Sequence, residues 1–445
     1  MTPSAIPAPP GHPLFGHALA FRRDPLGFLH RAAAFGPLVR LQLGPFPYFL
    51  VTSPGLIREV LHTRAALYAR DGRSARQIRL VTGESLLSSE GEAWRRHRRL
   101  AQPLFHAGRL AALATTTVDA TARLAADWSE AAAAGRPVDL AADIGRLTFT
   151  ITGRTLFGAD LGPRAAVMAE AYPVLVDELF RRARTLAALP LALPTARHLR
   201  FRRALAAIDG LVAELVAARR AAPAHEDDLL GALLSARDED GTPLPEKEIR
   251  DHLVTFLLAG HETTASTIVW ALAELAVHPA AAAPVAAELD SALAGRLPGL
   301  ADVPRLVHLD AALQETLRLH PAIWLAERRL RTSDTLDGCP VPAGAGVVVS
   351  PAVTQRLAAA WLEPAAFQPE RFLHRTPPGL EDGFLPFGAG PHQCIGQHFA
   401  LLEARLVLAV LLARFRVALP AGFPAALAGL TLRPAGVVPA HLERR

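Results

Sequence analysis

The stretch "FLPFGAGPHQCIGQHFALLEARL", Phe384 to Leu406, sets one of only two cysteines in a glycine-punctuated loop ahead of an apolar helix. Phe387, Gly390, Cys394 and Gly396 fit the pattern F-x-x-G-x-x-x-C-x-G. A structural cysteine packs as a small hydrophobe and needs no such setting. A thiolate needs backbone N–H donors, shielding from water and a helix N-terminus that favours the anion. Gly388 and Gly390 permit positive φ, so the loop can fold back and aim its N–H groups at the sulfur. Gly396 lets the next helix start close to a flat ligand. A lone thiolate excludes cysteine-rich zinc sites and iron–sulfur clusters. It fits an axial ligand to haem.

Three further constellations carry polar chemistry. "AGHETTA", Ala259 to Ala265, lies midway along an apolar helical pattern at 247–277. A glutamate and two threonines there are costly unless used. The Thr263 hydroxyl can bond the Ala259 carbonyl and bend the helix, and with Gly260 this can open a groove wide enough for dioxygen. In "QETLRLHP", Glu315 and Arg318 share a helix face at i and i+3, a spacing that usually makes a solvated surface ion pair. In "GEAWRRHRRLAQPLFH", Trp94 and Arg98 share a face at i and i+4. Arg95, Arg96 and Arg99 lie on other faces, as solvated charge or as a docking patch for an acidic protein.

The elements that must position these residues are mostly helical. Apolar periodicity predicts helices at 55–64, 92–101, 109–134, 140–157, 163–183, 201–221, 247–277, 280–294, 308–319 and 396–413. Residues 38–53 read as two strands around a turn, and 346–350 as another strand. The fold class expected is mainly α with small β-sheets: one domain over residues 1–445, built on a long central helix. The chain ends are expected to meet in one mixed sheet.

Composition bounds the rest. The chain has 445 residues, 51% hydrophobic and 20% charged, which is ordinary globular usage. Net charge is +5, carried almost wholly by arginine scattered over amphipathic helices. That distribution argues against nucleic acid and for an acidic protein partner. Two cysteines make no disulfide framework, and with no signal peptide legible they point to a reducing cytoplasm. No stretch reads as a membrane span. The preference for Arg and Ala over Lys and Ile suggests a GC-rich, actinobacterial genome.

Taken together, these motifs resemble the cytochrome P450 family of haem-thiolate monooxygenases, over nearly the whole chain from "PGHPLFGH" onward. The resemblance implies the triangular P450 fold and haem b (iron protoporphyrin IX), with Cys394 as the metal ligand. It places Trp94, Arg98, Arg329 and His392 at the haem propionates, and Ala259, Phe387 and Gly396 against the ring. It implies that Glu262 and Thr263 deliver protons at the oxygen groove, with Thr264 structural and His261 turned away. Glu315, Arg318 and Arg371 would form one buried network locking the Cys394 loop. Val254, Leu257, Leu258, Ile323, Trp324 and Leu325 would line a hydrophobic substrate pocket, although core packing accounts for them equally well. Residues 66–90 and 165–200 would form access loops and lid. Electrons would come in trans, from a ferredoxin or flavodoxin with its reductase, to a monomeric cytoplasmic enzyme.

The resemblance ranks terpenoid substrates first, then polyketide or fatty acyl chains, then peptide-derived or carrier-bound products. A peroxygenase and a non-catalytic haem sensor are the rival readings. The family's usual His-Arg-Asp stretch is replaced by Thr354, Gln355 and Arg356. Cys339 reads as a turn residue without a role.

Overall fold

A computed structural model describes residues 6–445 apart from 186–187, 223–227, 238–240 and 374–377. The central helix, Glu246–Val277, runs without interruption for 32 residues. At 1.5 Å per residue that is roughly 48 Å. Its residues are apolar around most of the circumference, so it can be stable only as a core helix. Helices Leu140–Leu156, Val307–Leu319 and Gln397–Leu412 pack against it. Glu246 and Glu248 in its first turn complement the helix dipole, and Pro279 opens the next helix, Pro279–Leu293. No single helix among the described residues is long and apolar enough to cross a membrane. The central helix and its successor pass such a test only as a pair, bent by 109°.

The helices at Gly91–Ala101, Leu110–Ala133 and Ala165–Arg184 fall within two residues of the sequence expectation. The helix expected from 201 starts earlier, at Ala196, because the Thr195 side chain accepts a hydrogen bond from the His198 N–H at 3.1 Å and caps it. The helix expected at 55–64 is an α-turn, Pro54–Arg58, followed by a π-helical turn, Glu59–Thr63. Short helices at Pro25–Ala33, Arg73–Thr82 and Leu229–Ser235 had too few periodic positions to be read from sequence.

The strands read at 38–53 and 346–350 meet in one mixed sheet, as expected, with Phe46–Val51 pairing in parallel with Gly346–Val349. A five-stranded mixed sheet is ordered Leu38–Leu43, Phe46–Val51, Gly346–Val349, Ala326–Leu330, Tyr68–Ala69. The final strand, Pro439–Arg444, lies elsewhere, between Val138–Asp139 and Phe415–Ala418. Its buried Ala440 and Leu442 cover the helical core beside Trp128 and Phe415, so apolar burial draws it away from the N-terminal sheet. A further hairpin pairs Ala426–Ala428 with Leu432–Pro434.

Candidate active site

The Cys394 loop is held in place by backbone. Gly390 has φ +72, and a Cβ there would stand 1.9 Å from the Leu61 carbonyl of the π-helical turn. Only glycine allows that approach. The Cys394 N–H donates to the Phe387 carbonyl at 3.0 Å, which closes the loop. The Gly396 N–H bonds to the Cys394 sulfur, and Arg98 lies close enough to favour the thiolate. Burial acts against both and pushes the thiol up. Yet the residue is exposed by surface area. A group that is accessible yet densely surrounded by protein lies on the floor of an interior cleft. At Gly396 an added Cβ would meet only Phe105, at an ordinary 3.6 Å, so no protein neighbour demands glycine there.

A cluster of cations stands beside this loop. Arg98 Nη1 donates to the Gln393 carbonyl at 2.9 Å. The Trp94 and His392 rings lie 4.2 Å apart. Burial and the charges of Arg70, Arg328 and Arg98 push His392 down to about 3, so it is neutral at physiological pH. Its buried Nδ1 has no hydrogen-bond partner. Arg329 was expected here, and the structure corrects that. Arg329 binds Asp71 through two nitrogens, Nε at 2.7 Å. Successive strand residues face opposite ways, so register puts Arg328 in the cluster and Arg329 outside it. Arg70, anchored by the Leu86 carbonyl at 2.9 Å, joins the cluster unforeseen.

The central helix, buried along most of its length, is open at its middle. Leu258, Gly260 and Thr263 are half-buried and Ala259 is exposed. Thr263 Oγ1 donates to the Ala259 carbonyl at 2.8 Å. Gly260 serves a different purpose from the one expected: an added Cβ would press on Thr152 at 3.3 Å, so its smallness admits the neighbouring helix. Glu262 is buried, and its Oε1 accepts from the Thr431 hydroxyl at 2.6 Å. Tyr172 and Arg433 also act on this carboxyl, but burial dominates and pushes it up. His261 packs between Phe149 and Tyr172.

Behind the loop lies a fully buried ion pair. Arg318 Nε and Nη2 each bond a Glu315 carboxylate oxygen at 2.7 Å, and neither side chain is exposed. Arg318 also donates to the carbonyls of Gln355, Pro364 and Ala366, which engages all five of its N–H groups. Arg371 Nε reaches Glu315 at 3.2 Å. Gln355, where the resemblance ran out, is fully buried. It donates to the Leu317 and Arg318 carbonyls and accepts from the Leu385 N–H at 2.8 Å. It therefore ties this helix to the segment leading to Cys394.

Three of the pocket assignments need correction. Val254 has no exposed surface and belongs to the core, as does Leu257. Trp324 is 2% exposed, packs on Phe180 and donates its indole N–H to the Gly429 carbonyl at 2.9 Å. Its indole wedges the hairpin against the sheet instead of lining open space. Ile323 is 44% exposed, and Leu258 and Leu325 are half-buried. The access elements touch: Arg73 donates to the Thr185 carbonyl at 2.7 Å and Arg182 to Gln77 at 3.0 Å. Residues 186–187 of the expected lid lie outside the described residues.

The family model for cytochrome P450 matches residues 6–428. The chain is a cytochrome P450. Similar proteins include cyclooctatin synthase and cyclooctat-9-en-7-ol 5-monooxygenase of Streptomyces melanosporofaciens, at 37% and 36% identity. Each alignment covers 92% of this chain and 89% of the relative. Pentalenene oxygenase of Streptomyces avermitilis is 34% identical over 92% of this P450 and 90% of its own length.

P450 enzymes are monooxygenases that use haem b, O2 and electrons from a redox partner. The residues of this P450 fit that cofactor. A thiol is accessible on the floor of a cleft, a glycine leaves space no protein atom fills, and cations surround an orphaned imidazole nitrogen. Sequence reasoning missed Arg70, Arg328, Thr431 and Tyr172. Only "ERR" offered a signal, and it did not say which arginine faces inward.

Proposed function

We propose that this P450 hydroxylates or epoxidises a hydrophobic terpenoid, with electrons supplied by a separate ferredoxin or flavodoxin and its reductase. The observation that carries the reading is the enclosed yet accessible Cys394 thiol, set beside a cluster of cations. The haem, when bound, supplies dioxygen activation and oxygen transfer. Cys394 would hold its metal. Arg70, Trp94, Arg98, Arg328 and His392 would hold its propionates.

The chain's own residues manage protons and water. Burial keeps the Glu262 carboxyl protonated to higher pH than an exposed glutamate. Thr431 occupies Oε1, so Oε2, which has no hydrogen-bond partner, is the oxygen free to carry that proton. Thr263, one residue on, offers a hydroxyl at the open face. A lapse of its bond to the Ala259 carbonyl frees the hydroxyl to orient a proton donor. The apolar Leu258, Ile323 and Leu325 exclude water and favour an apolar substrate. The terpenoid ranking is supported by the names of two relatives, which indicate an alkene and an alkenol.

The test is optical. The reduced carbon-monoxide complex should show a thiolate-type spectrum, and a terpene should shift the ferric protein from low to high spin. Loss of the thiolate signature in wild type would remove Cys394 as ligand. A shift only with larger or carrier-bound ligands would move the substrate to polyketide or peptide-derived chains.

A further inference from the structure

Where the helix carrying Trp94 and Arg98 crosses the first turns of the central helix, His97, Glu248 and His252 bring their ligand atoms within 4.8 Å of one another. None of the three belongs to the Cys394 site. His97 is 4% exposed and His252 1%. Glu248 and His252 stand at i and i+4 on one face of the central helix, and His97 approaches from the other helix. His97 Nε2 is 3.4 Å from Glu248 Oε1, and His252 Nε2 is 3.9 Å from the same oxygen. The two imidazole rings meet edge to face at 4.5 Å.

The hydrogen bonds around the cluster fix which atoms face inward. The Ser89 hydroxyl donates its proton to the Ser85 carbonyl at 2.7 Å. Its oxygen therefore accepts, and the partner 3.0 Å away is His97 Nδ1. Nδ1 is then the protonated nitrogen, and the Nε2 lone pair faces the carboxylate. Two electron-rich atoms 3.4 Å apart repel unless a cation stands between them. The spacing is that of neighbouring ligands on a metal bound at about 2.0–2.1 Å. His252 adds a second observation. Both of its ring nitrogens are buried without any hydrogen-bond partner, which is costly unless something fills the gap.

We propose that His97, Glu248 and His252 bind one divalent first-row cation, with Zn2+ the natural occupant, and so cross-link the two helices. Two imidazoles and a carboxylate are a donor set that suits zinc. Ser89 is the outer partner that orients a ligating histidine. The Arg96 guanidinium also contacts Glu248 Oε1. It is half-buried at the rim and competes with the metal for that oxygen, so Zn2+ takes the second oxygen or displaces Arg96 toward solvent.

The test uses haem-loaded protein without an affinity tag. It is equilibrated with Zn2+ and dialysed, and zinc and iron are measured by mass spectrometry. Wild type should retain one zinc per haem, and its thermal unfolding midpoint should rise with added Zn2+. His252→Asn and Glu248→Gln should lose that zinc and the thermal response while keeping the reduced carbon-monoxide spectrum. Ser89→Ala should weaken Zn2+ binding about 10–100-fold. His441→Ala, a change at an exposed strand residue, should alter neither readout. If wild type retains no zinc, a proton or Arg96 fills the gap and the proposal is wrong. Equal retention by wild type and both ligand variants would assign the metal to surface histidines and overturn it too. If His252→Asn loses haem, Glu248→Gln carries the decision.

Discussion

Glu262 and the arginine pair at 328–329 show how one side chain's surroundings decide its chemistry. Sequence marks Glu262 as an acid too costly on an apolar helix to be idle, but not how its surroundings perturb it. Burial in the folded chain raises its pKa. A raised carboxyl pKa means that the proton is held below that value and lost as pH rises through it. Turnover should therefore fall on the alkaline side at that carboxyl's pKa. Glu262→Gln should slow turnover about 10²-fold, in the range general acid catalysis contributes, and abolish that limb of the product-formation profile. By the same sign, wild-type stability should decline as pH rises from the free-glutamate value toward the buried one. The arginines give a paired prediction. Arg328→Ala should weaken haem retention, read as the ratio of haem to protein absorbance, while Arg329→Ala should leave it near wild type. Equal effects of the two would mean that the strand register does not set the site.

At the scale of elements, the loop carrying Cys394 is fixed by what lies behind it. Glu315 and Arg318 sit on one helix, and the carbonyls they engage span Gln355 to Ala366. Glu315→Ala strands a buried guanidinium at a cost of about 3–5 kcal/mol. We expect that variant to be recovered haem-free or misfolded, and normal haem content would refute the locking role. Gln355→Ala leaves the Leu317 and Arg318 carbonyls and the Leu385 N–H without their side-chain partner. It should cost about 1–3 kcal/mol per group left unsatisfied, measured by denaturant unfolding. Gln355 was legible only as a departure from the family pattern. Its role depends on meeting two segments, one 37 and the other 30 residues away in sequence, which periodicity cannot report.

At the scale of the whole molecule, net positive charge has a direction. Arg95 and Arg99 are exposed on the helix that also carries Trp94 and Arg98. Arg95 pairs with Glu92 on the same helix, and Arg96 turns inward to Glu248. The basic face is thus narrower than the "WRRHRR" run suggests. Arg99→Glu should slow reduction by an acidic ferredoxin several-fold at low salt, and the difference should shrink as ionic strength rises. Stopped-flow reduction under carbon monoxide measures this directly. A salt-independent change would point to damage in the site instead of lost steering.

The sequence alone determined the elements whose signals are local. The central helix is an apolar run too long to be anything else. The Cys394 loop is written in four fixed positions, and Glu315 with Arg318 in one helical turn. Those patterns persist because side-chain spacing along a helix or tight loop follows from bond geometry. Tertiary structure alone decided what lies across from each residue. It chose Arg328 over Arg329, set a last strand that no local pattern announced in a separate sheet, and took Val254, Leu257 and Trp324 out of the pocket. It also gave Gly260 a packing duty and brought His97 to Glu248 and His252. Each of these depends on strand register or on helices meeting across more than a hundred residues of chain, where burial and pairing outweigh any preference a local window can express.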